Sequence, residues 1–298
     1  MGAPAATRPE RPARKDRAMS RLPMDLHLDR TTAQPGKRGR IVLVGAGPGA
    51  RDLLTLRAVQ RLQEADVVFF DRLVEDDVLD LARPEAERVF VGKHVGAHSW
   101  PQERINAVIV AAALAGRNVV RLKSGDPGIF GRATEELDAA RAHGIDVEIV
   151  PGVTAACAAA AAMGQSLTER GRSDTLVLAT GTGSAENPLP DCVRHAAPGT
   201  TTVFYMSVRQ ARRITDALLQ KGLPADAEIG IAAEVAKPDQ WLDRCHLADL
   251  PEALARNHVK GCAVILATWP AGTPEGTATT PVRAEAGATT GARHTVGA

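Results

Sequence analysis

The sequence predicts an α/β protein built from two α/β domains. Three observations carry this expectation. Short β-branched runs alternate with segments whose apolar residues recur at spacings of three and four. The alternation is interrupted once, at Pro151-Gly152, by a helix of small residues, and then resumes. Glycine-rich loops follow two of the predicted strands, the place where open α/β sheets hold ligands.

In chain order, Ile41–Val44, Val67–Phe70, Val89–Val91, Val119–Leu122 and Val147–Val150 predict strands, and Leu53–Ala65, Ile105–Ala115 and Thr134–His143 predict helices. This pattern implies a mainly parallel sheet covered by helices, over residues 39–150. Thr154–Met163 is the small-residue helix, with Thr154 as N-cap, expected to bridge the domains. A second α/β set over 151–270 has strands at Thr175–Ala179, Thr202–Tyr205, Glu228–Ala232 and Ala263–Ala267 and a helix near Val208–Lys221. Pro198-Gly199 and Pro238-Asp239 mark turns. Residues 1–38, rich in Arg, Pro and Ala, and 271–298, rich in Gly, Thr, Ala and Pro, lack apolar periodicity and are expected to be disordered.

The densest glycine cluster is Ser124-Gly125-Asp126-Pro127-Gly128-Ile129-Phe130-Gly131, after the strand that ends at Leu122. Gly125, Gly128 and Gly131 permit positive φ and close backbone approach, while Pro127 pushes Asp126 out of the α region. The loop is a candidate ligand site; a tight turn without a ligand is the alternative. A second loop, Gly45-Ala46-Gly47-Pro48-Gly49-Ala50, satisfies G-x-G-x-x-A, and Asp71 ends the next strand, as in a dinucleotide-binding unit. Against that reading, Pro48 removes an N–H from the turn, the helix starts beyond the glycines, and the Ser124 loop is left without a role.

Composition narrows the classes. A net charge of +1 over 298 residues argues against nucleic acid as the main partner, and an aromatic content of 3% argues against base stacking. No apolar run has the length of a membrane span and no signal-peptide core precedes the first strand, so a cytoplasmic protein with no membrane association is expected. Cys157, Cys192, Cys245 and Cys262 are scattered without metal-ligand spacing, which points to reduced thiols and no metal.

The runs VLVGAGPG (42–49), LTL (54–56), ADVV (65–68), DRLV (71–74), VGK (91–93), HS (98–99), PQ (101–102), IN (105–106), VRLKSGDP (120–127), IFGR (129–132), EE (135–136), PGVTA (151–155) and VFYM (203–206) form one ordered series. The series resembles the uroporphyrinogen-III C-methyltransferases of the tetrapyrrole methylase family, from about Arg40 to Ala267. That resemblance implies two α/β domains around a deep cleft, a homodimer, S-adenosyl-L-methionine as methyl donor with S-adenosyl-L-homocysteine as product, and methylation of uroporphyrinogen III to precorrin-2 for sirohaem, cobalamin or haem d1. Carried over by position, it places cofactor contacts on Pro48, Ser124, Gly125, Asp126, Ile129, Thr154, Ala155 and Met206. It places proton-handling roles on Asp71 and Lys93, and a substrate-directed pair on Arg132 and Glu135.

A substrate with eight carboxylates calls for cations, and Arg72, Lys93, His98, Arg121, Lys123, Arg132 and Arg170 are the candidates near strand-end loops. The chain departs from the family pattern at Ser124, Ser207 and Ala236, each in place of glycine. It departs also at Gly128, in place of a large residue, and at Glu169 and Thr182, in place of histidine. Ser124 is tolerable there at negative φ. Two further readings stand beside the first: action on another tetrapyrrole intermediate, and a divergent paralogue that binds without turnover.

Overall fold

The computed structural model describes residues 38–92, 100–183 and 191–272. Lys93, His98 and nearly all of both tails therefore lie outside the described residues. The first sheet contains β1 (Ile41–Gly45), β2 (Val67–Phe70), β3 (Glu87–Phe90), β4 (Val119–Lys123) and β5 (Val147–Val150), all parallel, in the order β3-β2-β4-β1-β5. Alternate residues feed two cores. Val42, Val44, Val68, Val120 and Leu122 face one side, with α1 (Leu56–Glu64) and α2 (Asp76–Leu79); Ile41, Leu43, Val67, Phe69 and Val119 face the other, with α3 (Gln102–Leu114) and α4 (Ala133–Arg141). Burial on both faces explains why β1 and β2 read as unbroken apolar runs.

Local sequence accounts for the helices. In α1 the Thr55 hydroxyl accepts a hydrogen bond from Ala58 N at 3.1 Å, and Ala58 and Leu62, four apart, supply the buried stripe. Full burial of Leu62 alone contributes about 1.5–3 kcal/mol. The helix begins at Leu56, after a 3-10 turn over Arg51–Leu53, and not at Leu53 as the periodicity suggested.

The second sheet differs from expectation. It contains β6 (Thr175–Thr180), β7 (Thr200–Tyr205), β8 (Glu228–Ala233), β9 (Trp241–His246) and β10 (Ala263–Trp269), in the order β6-β7-β10-β8-β9. Only the β6/β7 pair is parallel; the other three are antiparallel. Strand β9 escaped sequence reading because it is an edge strand in which the consecutive charges Asp243 and Arg244 fall one on each face and break the apolar alternation. The short helix α7 (Leu250–Arg256), with proline in its first turn, escaped because its 7 residues are too few to show a helical period. Helix α5 (Ala155–Ala162) packs with Val203, Val264 and Leu266 on one face of this sheet, so it belongs to the second domain. The other face is covered by α6 (Ala211–Gln220) and α7 around Phe204, Ile229, Ile231 and Ile265.

Candidate functional site

The carboxyl ends of β1 and β4 are neighbours, and their loops pack backbone against backbone. Gly47 N and Gly125 N exchange hydrogen bonds with each other's carbonyl oxygens at 3.3 and 2.7 Å. A Cβ on Gly45 would lie 2.6 Å from Gly152 Cα, so glycine is required where the ends of β1, β4 and β5 converge. Asp126 braces this junction: its carboxylate accepts from Gly128 N at 2.8 Å and from Gly152 N at 3.0 Å.

Beyond these loops lies a cavity of about 370 Å³, within the usual range for small-molecule sites. Pro48, Ser124, Gly125, Asp126, Ile129, Thr154, Ala155 and Met206 all line it, together with Arg72, Phe130, Tyr205, Glu234, Lys237 and Cys262. The walls thus come from both sheets. Gly125 has φ +70°, and a Cβ built on it meets nothing within 4 Å, so its missing side chain is left as open space inside the cavity.

The glycine loop is held differently from expectation. Gly128 and Gly131 do not take positive φ; Phe130 (53°) and Arg132 (56°) do. Gly131 is needed because a Cβ would lie 2.5 Å from the Pro127 carbonyl oxygen. Ser124 keeps a negative φ, which satisfies the condition for a side chain there. Met206 (52°), Glu234 (48°) and Ala236 (59°) are also left-handed, so among the described residues five of the six left-handed non-glycine residues lie on segments that line the cavity, where strained backbone is commonly put to functional use, and His258 (51°) lies elsewhere.

Thr154 is the N-cap residue of α5, but its hydroxyl does not cap the helix. Instead Tyr205 Oη accepts from Ala156 N at 2.9 Å and shares a hydrogen bond of 2.6 Å with Thr154 Oγ1. A residue of β7 thereby caps a helix distant in sequence. Its ring also supports Phe130, centroid to centroid 5.1 Å, and burial pushes the phenol above its ordinary range.

Asp71, just past β2, accepts from Leu73 N at 3.0 Å and lies 3.5 Å from Arg121 Nη2. Arg132 is paired with Glu135 at 2.6 Å, and its side chain is 59% exposed, free to change partners. Arg121 and Lys123, expected to line a substrate trough, are buried instead. Glu136 accepts from Arg121 Nε at 3.1 Å and from Lys123 Nζ at 2.8 Å, with its side chain 1% exposed. Burial, then the Arg121 charge, pulls the Lys123 ammonium below the ordinary lysine range despite Glu136. Positions 121 and 123, two apart on β4, share one face, and both cations lie inside because the whole strand is buried, which a sequence cannot distinguish from a surface cluster.

Glu169 and Arg170 also fall elsewhere. Glu169 pairs with Arg172 at 2.9 Å and lines a separate cavity by Ser173, Glu228 and Thr268, at the opposite end of the second sheet. The departure at Glu169 therefore removes no cation from this site within the chain. Thr182 does stand beside it: its hydroxyl donates to the Met206 carbonyl at 3.1 Å. Glu234, Lys237 and Cys262 were missed by sequence reading; the departure at Ala236 was the nearest signal. Among the described residues no cluster of three His, Cys, Asp or Glu is placed to hold a metal, and no helix is long and apolar enough to cross a membrane.

The dinucleotide reading fails on this geometry. The Gly45–Gly49 turn packs against the Gly125 loop and the second domain, and no helix N-terminus follows it until Leu56.

Two α/β domains closing over a cavity at the strand ends of a parallel sheet define a ligand-binding α/β protein of the kind that works on small molecules. Residues 40–251 match the family of Tetrapyrrole (Corrin/Porphyrin) Methylases, and the chain belongs to that family. It is 46% identical over 243 residues to Siroheme synthase 2 of Yersinia pestis bv. Antiqua (strain Nepal516), covering 81% of this chain and 51% of that one. The chain thus spans about half the length of the curated relatives it matches. Among solved structures, uroporphyrin-III C-methyl transferase from Thermus thermophilus complexed with S-adenyl homocysteine superposes with TM-score 0.66 at 35% identity, covering 77% of this chain and 92% of that one. A cobalt precorrin-4 methyltransferase superposes with TM-score 0.68 at 30% identity, covering 77% and 95%.

Proposed function

We propose that the protein is an S-adenosyl-L-methionine-dependent uroporphyrinogen-III C-methyltransferase that forms precorrin-2, in the route to sirohaem or cobalamin. The observation that carries this reading is the cavity itself. Eight residues from four separate segments line one space, and the bare Gly125 backbone leaves room for a ligand to lie against it. The space is bounded by apolar Pro48, Ile129, Ala155 and Met206 and by polar groups at its rim, a composition that fits an amphiphilic nucleoside.

The bound cofactor supplies an electrophilic sulfonium methyl. Transfer of that methyl from sulfur to a pyrrole carbon would require one proton to leave the tetrapyrrole. This chain's residues align the partners and handle that proton. We assign that role to Asp71, whose carboxylate accepts from Leu73 N and lies 3.5 Å from Arg121 Nη2, together with Lys93, outside the described residues. Arg132 exchanges Glu135 for a substrate carboxylate, using its planar fork. Arg72, on the cavity wall, is a second carboxylate partner.

We further assign residues 39–150 and 151–270 to the two domains, and infer a cytoplasmic homodimer. The test is transfer of labelled methyl to uroporphyrinogen III by the purified protein. Binding of S-adenosylhomocysteine without transfer would replace this reading with a non-catalytic paralogue, and transfer to a later intermediate alone would change the substrate.

A further inference from the structure

Lys237 stands where the two domains meet. Its Nζ lies 3.1 Å from Glu75 Oε1 of the first domain and 3.3 Å from Glu234 Oε2 of its own, and its side chain is only 9% exposed. Its stem also underlies the other cofactor-side loop. A Cβ on Gly49 would run into Lys237 Cγ and would lie 2.6 Å from the Ala236 carbonyl oxygen, so the Pro48-Gly49 turn rests directly on this segment.

The segment itself is braced. Glu234 N donates to the Cys262 carbonyl at 2.8 Å, Lys237 N to the Glu234 carbonyl at 3.1 Å, and Ala236 N to Gln240 Oε1 at 2.8 Å. Left-handed backbone at Glu234 and Ala236 is the conformation that turns Lys237 back toward the first domain.

We propose that Lys237 is a positioning residue: its ion pair with Glu75 latches the Asp71–Glu75 loop of the first domain onto the second, setting both the width of the cofactor cavity and the placement of Asp71. The inference rests on the cofactor reading above. The loop is then anchored at both ends, by Arg121 at Asp71 and by Lys237 at Glu75. Arg72 and Leu73, between the anchors, line the cavity. Burial opposes the Lys237 charge, but Glu234, the neighbouring Cys262 and Glu75 more than offset it, and the ammonium is held above the ordinary lysine range. An exposed pair would do little. This one is largely buried, and losing the cation leaves two carboxylates facing each other without compensation.

Lys237→Met keeps the stem under Gly49 and removes the charge; Glu75→Gln keeps the partner's shape and removes its charge. Hydrogen–deuterium exchange of the ligand-free full chain should show faster exchange over residues 71–78 in both variants, with no further increase in the double variant. S-adenosylhomocysteine affinity should fall about tenfold in each single variant and no further in the double one, and Lys237→Arg should recover most of it. Unchanged exchange over 71–78 in the folded single variants, or additive effects in the double, would overturn the latch. Faster exchange with unchanged affinity and turnover would overturn its positioning role. The exchange arm does not use the cofactor, so a wild type that fails to bind S-adenosylhomocysteine would count against the function and leave the latch to be judged on exchange alone.

Discussion

Replacing Gly125 by alanine separates the backbone cost of this position from its role in the cavity. Gly125 has φ +70°, and an added Cβ meets no protein atom within 4 Å. The loss of stability then comes from the left-handed conformation alone, about 1–2 kcal/mol, which lowers Tm by about 2–4 °C per kcal/mol in a domain of 150–250 residues. Gly164, with φ +64° and also nothing within 4 Å of a Cβ, lies outside the cavity and serves as the control. Gly164→Ala should carry the same conformational cost. Only at Gly125 does the methyl group occupy space assigned to the cofactor, where forcing in an extra carbon costs about 1–3 kcal/mol, or roughly fivefold to a hundredfold and more in affinity. Calorimetric titration with S-adenosylhomocysteine is the assay, with Tm measured alongside. Affinity of Gly125→Ala within twofold of Gly164→Ala would refute the argument, because it would mean that no ligand lies against this backbone.

Arg132→Lys should depress methyl transfer by at least about a hundredfold, near 2.7 kcal/mol, with S-adenosylhomocysteine affinity unchanged; normal turnover removes Arg132 from the mechanism. Glu136→Gln leaves Arg121 and Lys123 buried with less counter-charge, and urea denaturation should show a loss of about 3–5 kcal/mol; a loss below 1 kcal/mol would mean that water reaches the pair. Because the folded state lowers the pKa of Lys123 below the ordinary lysine value of 10.5, the unfolded chain binds more protons there, so this residue makes stability rise with pH up to about that value. Lys123→Met should flatten that rise in denaturation midpoints measured from pH 8 to 10. Tyr205→Phe removes the acceptor for Ala156 N, and should cost about 1 kcal/mol by thermal denaturation; an unchanged Tm would show that the cap is dispensable.

The residues of the first domain announced their structure because the central strands β1 and β4 are buried on both faces and the loop glycines answer local demands. Ile41–Val44 is apolar throughout, Val119–Leu122 is apolar but for Arg121, and Gly45, Gly125 and Gly152 sit where three backbones touch. The second sheet was less legible. Its antiparallel pairs join strands far apart in sequence, such as β7 with β10, and partner choice leaves no periodic trace in either strand.

What the sequence determined by itself was the α/β class, the two glycine loops, and the eight residues that turn out to share one cavity. Periodicity, turn chemistry and a motif series are properties of local sequence, so they survive without coordinates. What only the tertiary structure decided was the electrical and conformational state of these groups. Arg121 and Lys123 read as surface cations and prove to be buried partners of Glu136. Left-handed φ falls on Phe130 and Arg132 in place of Gly128 and Gly131. Lys237 meets Glu75 across the cleft. Desolvation, pairing and backbone strain depend on which chain segments come within a few ångströms of one another, and that proximity is created only when the two sheets close over the cavity.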